Sequence, residues 1–81
     1  MKKEITIRTS AVYDARALAQ MVGIANGFSS RITIIMEERA INVKSIMGVM
    51  GIGLDQGKKI IIDAEGTDAE AAIKALEEFL A

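Results

Sequence analysis

The chain has 81 residues and a net charge of −1 from ten basic and eleven acidic residues, and it contains no histidine, cysteine, tryptophan or proline. Its length suits one domain, residues 1–81, and its 51% apolar content is globular rather than disordered. The zeros exclude ordinary zinc sites, disulfide scaffolds, cysteine nucleophiles, Ser-His-Asp triads and any phosphoryl or proton transfer through an imidazole.

The elements follow in order. Glu4 to Arg8 alternate, with Ile5 and Ile7 on one face, as in a half-buried strand. A short loop, Thr9 to Tyr13, leads to a helix over Asp14 to Asn26. Asp14 is an N-cap residue type, Leu18, Met21, Val22 and Ala25 form one face, and Asn26-Gly27 suits a left-handed stop. Arg31 to Met36 and Arg39 to Val43 read as two strands with only Glu37-Glu38 between them. A hairpin this tight wants Asn or Gly at positive φ, so Glu-Glu leaves the turn type open. Ser45 to Gly51 reads as a short, weak helix capped by Ser45 and ended by Gly51 and Gly53. After the turn Asp55-Gln56-Gly57, Lys59 to Glu65 is a strand. Thr67 to Leu80 is the clearest helix, with Thr67 and Glu70 as a capping box and Ala72, Ile73, Leu76, Phe79 and Leu80 as its buried stripe. Lys74, Glu77 and Glu78 read as its solvated side. The order βαββαβα places the chain in the α+β class, with a four-stranded, mostly antiparallel sheet covered by helices on one face and open to water on the other.

Partners are bounded by the same composition. Balanced charge with one Tyr and two Phe leaves no nucleic-acid footprint. No apolar run approaches the roughly 18 residues of a membrane helix. Met1-Lys2-Lys3-Glu4 passes directly into alternating residues, unlike a signal peptide, so a cytoplasmic protein is expected. No cofactor and no metal is called for.

Two constellations carry chemistry. Ser45 is a helix cap, and the same position is a candidate phosphorylation site, because a phosphate there would meet free N–H donors. Ile46, Met47 and Met50 follow it on a helix too short to bury every apolar side chain; they are either core or an exposed patch that docks a partner. Gly48, Gly51 and Gly53 match neither the dinucleotide fingerprint nor a basic GXXG loop. In the second constellation, Asp14 and Arg16 are either a cap and a surface arginine or a corner facing an anion or a partner. Tyr13 beside them is a hydrophobic staple or an exposed contact.

Nearly the whole chain resembles HPr, the phosphocarrier family of the bacterial sugar phosphotransferase system. The βαββαβα order, Asn26-Gly27-Phe28 with Ile32-Thr33-Ile34, Gly53-Leu54-Asp55-Gln56-Gly57 and Ala64-Glu65-Gly66 are similar to that family. Lys44-Ser45-Ile46-Met47-Gly48 resembles its regulatory-serine segment. The resemblance implies an open-faced sandwich. The likeness breaks where the family reads Gly-Leu-His-Thr-Arg-Pro-Ala and this chain reads Val12-Tyr13-Asp14-Ala15-Arg16-Ala17-Leu18. Arg16 matches, Asp14 stands at the phosphohistidine position and Ala17 stands at the proline. A chain without histidine resembles the catabolite-repression HPr-like subgroup, although that subgroup usually carries Gln where this chain has Asp14.

That resemblance implies phosphorylation of Ser45 by an HPr kinase/phosphorylase. It also implies co-regulation of a LacI-type catabolite control protein, with Arg16, Ile46, Met47 and Met50 as contacts, and no catalytic residue. The alternatives are a phosphocarrier that uses Asp14 as an acyl-phosphate acceptor, a purely structural interaction module, and, more remotely, a small-molecule-binding ACT-type domain.

Overall fold

A computed structural model describes residues 1–7, 14–51 and 57–81. Seven elements occur in it: β1 (Lys2–Thr6), α1 (Ala15–Asn26), β2 (Arg31–Met36), β3 (Arg39–Asn42), α2 (Ile46–Met50), β4 (Lys59–Glu65) and α3 (Ala69–Leu80). The strands form one antiparallel sheet in the order β1-β4-β2-β3. Arg8, the expected end of the first strand, Thr9 to Tyr13, and Gly53 to Gln56 lie outside the described residues.

Alternation along the strands sets the two faces of the sheet. Ile32, Ile34 and Met36 of β2 and Ile60, Ile62 and Ala64 of β4 point inward and are buried. Ile5 of β1 with Ile7 just beyond it, and Ile41 of β3 with Val43 just beyond it, join them. Leu18, Met21 and Ala25 of α1 cover this layer together with Ala72, Ile73, Leu76 and Leu80 of α3. Each fully buried Ile or Leu contributes about 1.5–3 kcal/mol of transfer free energy, so a single continuous core holds the small domain together. The four-stranded α+β architecture is therefore the one expected from the sequence.

Local details depart from expectation for identifiable reasons. β1 begins at Lys2 rather than Glu4, because Lys2 and Lys3 already pair with Asp63 and Ile62. The Ile7 N–H still donates to the Lys58 carbonyl at 2.9 Å beyond the strand's assigned end. The α1 stop is not left-handed: Gly27 lies at φ −75°, ψ −8°. The helix instead tightens, with the Gly27 N–H donating to Ile24 O at 3.1 Å and Phe28 N–H to Ala25 O at 3.2 Å. Asn26 Nδ2 donates back to Val22 O at 2.9 Å, adding a side-chain bond to the last turn.

The Glu37-Glu38 turn takes the primed geometry despite its composition, with φ +49° and +67° at the two residues. Met36 pairs with Arg39, leaving only these two residues for the loop. Lys58 Nζ reaches Glu37 Oε1 at 2.7 Å, and this bond holds the Glu37 carboxyl below its ordinary pKa.

The Thr67–Glu70 capping box does not form. α3 starts two residues later, at Ala69, with Asp68 in the cap position but making no cap bond from its side chain. The Asp68 carboxylate turns away and accepts from the Ser29 N–H at 2.8 Å, the Ser30 N–H at 2.9 Å and the Ser30 hydroxyl. This clamp fastens the start of α3 to the entry of β2. Gly66, at φ +149°, makes the close approach possible: a Cβ there would lie 2.6 Å from Ser30 Oγ and 2.7 Å from Ser30 Cα. Glu77 is also not simply solvated, since Lys3 Nζ on β1 donates to it at 2.9 Å.

Candidate functional site

The segment leading to α2 is held on three sides before Ser45 is reached. Val43 N–H donates to Ile32 O at 3.1 Å, extending the pairing beyond β3. Asn42 Oδ1 accepts from Lys44 N–H at 2.9 Å, an Asx turn that bends the chain out of the sheet. Lys44 Nζ donates to Phe28 O at 2.7 Å, and Asn26 Nδ2 donates to Lys44 O at 3.4 Å, tying the segment to the end of α1. Ser45 N–H closes the set on Asn42 O at 3.1 Å.

Ser45 then caps α2 as its residue type implies. It lies at φ −103°, ψ 115°, and its Oγ accepts from Gly48 N–H at 3.3 Å while its carbonyl accepts from Val49 N–H at 3.0 Å. Five residues can bury only one side of the helix, and Val49 is the side chain that enters the core. The others face outward, with Ile46 43% exposed, Met47 84% and Met50 51%. Core packing is therefore not where Ile46, Met47 and Met50 lie: all three are exposed. No acidic residue lies in the first turn of α2 to compete with an anion on Ser45.

The second constellation sits at the other end of α1. Asp14 is extended and exposed, and its Oδ1 accepts from Ala17 N–H at 2.9 Å as a true N-cap. Arg16 is exposed in the first turn, and among the described residues no carboxylate lies within ion-pair distance of it. The Asn26–Lys44 bond puts the start of α2 beside the C-terminal end of α1, whereas Asp14 and Arg16 belong to its N-terminal end. Twelve residues of helix measure about 18 Å. Among the described residues no hydrogen bond joins the two constellations, and α2 packs against α1. Tyr13 lies outside the described residues.

Asn26 and Lys44 stand in the sequence only as parts of a helix stop and of segments resembling the family, and Asn42 carries no signal there; that all three position the Ser45 segment appears only in the structure. A groove of ≈ 410 Å³ along β1 and α3 is lined by Met1, Lys2, Lys3, Glu70, Ile73, Lys74 and Glu77 and contains none of the site residues. Its lining is partly self-neutralised by the Lys3–Glu77 bond. Among the described residues, no group of three metal-ligating side chains converges, and no helix is long and apolar enough to cross a membrane.

A family model described as the PTS HPr component phosphorylation site matches residues 1–81. The chain belongs to the HPr family. Phosphocarrier protein HPr of Lysinibacillus sphaericus is 44% identical over 66 residues, covering 82% of this chain and 75% of that protein. The HPr-like protein Crh of Halalkalibacterium halodurans is 34% identical over 80 residues, covering 99% of this chain and 95% of that protein. The crystal structure of a phosphocarrier protein HPr from Bacillus anthracis superposes with a TM-score of 0.93 at 34% identity, covering 100% of this chain and 96% of that one. The βαββαβα sandwich is thus the HPr fold, and the family is one of phosphocarriers rather than classical enzymes.

Proposed function

We propose that this chain is a cytoplasmic regulatory member of the HPr family, unable to carry phosphohistidine, switched by phosphorylation of Ser45 and acting by docking on protein partners of carbon catabolite regulation. One observation carries the reading: a chain without histidine keeps a serine at the start of α2, directly beside the exposed face of Ile46, Met47 and Met50. The similarity to the HPr-like protein Crh over nearly the full length supports it. The partners implied are an HPr kinase/phosphorylase and a LacI-type regulator.

In the proposed step the Ser45 hydroxyl loses its proton and its oxygen attacks the γ-phosphorus of ATP, releasing ADP. The phosphate brings a charge of about −1.5 to −2 to the cap. There it sits within reach of the backbone donors that Oγ already faces, Gly48 N–H first among them. A dianion next to three exposed apolar side chains makes a composite surface that neither part offers alone. Arg16, at the far end of α1, supplies a cationic contact to a partner large enough to span both. Asp14 stays a helix cap and presents a fixed negative charge in place of a transferable phosphoryl group.

Incubation with a Gram-positive HPr kinase/phosphorylase and ATP tests the reading by intact mass. The expected result is one phosphate on the natural chain and none on Ser45→Ala. A hydroxylamine-labile label on Asp14, passed from phosphoenolpyruvate through the system's phosphodonor kinase, would instead establish the acyl-phosphate carrier.

A further inference from the structure

The five methionines of the chain fall into two environments. Met21 and Met36 are 0% and 4% exposed in the core, whereas Met47 and Met50 are largely exposed on α2 and Met1 is exposed on the outer edge of the sheet. We infer that Met47 and Met50 form a peroxide-modifiable site, at which oxidation of the two thioethers turns the apolar face of α2 polar without disturbing the fold.

The chemistry needs only accessible sulfur and a peroxide. The thioether sulfur attacks one peroxide oxygen, the O–O bond breaks, and the oxygen stays on sulfur as a sulfoxide. With hydrogen peroxide the other oxygen leaves as hydroxide, which takes the proton still held by the transferred oxygen and becomes water; sulfur is oxidised by two electrons and the peroxide is reduced by two. A sulfoxide is polar and chiral, which makes it a poor neighbour for an apolar contact, and it is reversible by enzymes specific for each epimer. The chain has no cysteine, so thioethers are its only reversible sulfur chemistry.

Geometry confines the effect to the surface. Met47 and Met50 are three residues apart and share one side of the helix, and Ile46 extends the same exposed patch. Val49 is the buried residue of α2, whereas Met47 and Met50 are 84% and 51% exposed. Both thioethers lie within five residues of Ser45, so any protein reading Ser45 or its phosphate would meet them. That last consequence rests on the regulatory reading above; the modification itself does not.

The test treats the folded chain with hydrogen peroxide and maps sulfoxides by peptide mass, with Met1 as an internal control for oxidant action. Met47 and Met50 should convert roughly tenfold or more faster than Met21 and Met36, which react only after opening of the core. Retention on a phenyl matrix should fall while the thermal midpoint is unchanged, and Met47→Leu/Met50→Leu should keep its retention through the same treatment. Equal rates at core and α2 methionines, unchanged retention, or loss of the fold would each overturn the site. In a parallel arm, HPr kinase/phosphorylase should phosphorylate the oxidised chain several-fold more slowly, with recovery after methionine sulfoxide reductase. An equal rate overturns the docking consequence. A failure of the untreated chain to take phosphate counts against the regulatory reading, and the peptide map and retention still decide the modification site.

Discussion

Ser45 and Asp68 are both short polar residues at a helix start, yet they use their oxygens differently. Ser45 caps its own helix, and Ser45→Ala should lower stability by about 1 kcal/mol through loss of the cap alone, read as a lower urea midpoint with an unchanged slope. Asp68 leaves its helix uncapped and serves the Ser29-Ser30 corner. The Ser30 hydroxyl, followed by the Ser29 and Ser30 backbone N–H groups, holds its carboxyl below the ordinary value. A carboxyl depressed in the folded state contributes stability above its unfolded pKa of about 3.9 and loses it as pH falls through the folded value. Urea unfolding followed between about pH 5 and pH 2 should therefore show a flatter acid decline for Asp68→Asn than for the natural chain. Some decline should remain, because Lys58 lowers Glu37 in the same direction. An identical slope would contradict the clamp. The caps at Asp14 and Ser45 were legible in sequence because a cap bonds within three residues. The Asp68 clamp was not, since its partners lie 38 and 39 residues away.

At the scale of elements, the hairpin between β2 and β3 shows register overriding local preference. Pairing of Met36 with Arg39 allows only two loop residues, and both glutamates take positive φ. A left-handed non-glycine residue costs about 1–2 kcal/mol, so Glu38→Gly should raise stability by roughly 1 kcal/mol, a gain of about 4–8 °C in thermal midpoint. The substitution spares the Glu37–Lys58 bond. A lower midpoint would mean that the turn carries no such cost. The end of α1 teaches the same lesson from the other side. Asn26-Gly27 signalled a stop correctly, but the Gly27 and Phe28 backbone N–H groups supplied the terminal bonds by tightening the last turn, and no left-handed residue was needed.

For the whole molecule, period-two strands and two amphipathic helices were enough to specify the layers, because each inward residue is apolar and each helix has one stripe to bury. What the pattern could not carry was long-range fastening, and Gly66 is its strictest point. Gly66→Ala places a methyl group against the backbone and hydroxyl of Ser30 and should cost about 1–3 kcal/mol, read in urea as a lower midpoint. The functional surface was legible in part. Ser45 and its apolar neighbours were visible as a cap followed by more methionine and isoleucine than five residues can bury, while the bonds from Asn26, Asn42 and Lys44 that position them appear only once α1 and β3 are brought together.

The central claim is that this HPr-family chain has given up phosphohistidine and retained a serine switch on α2. Intact-mass analysis after incubation with HPr kinase/phosphorylase and ATP tests it most directly. A single phosphate on the natural chain, absent from Ser45→Ala, is the predicted result. No phosphate on the natural chain, or the same uptake by Ser45→Ala, would contradict it.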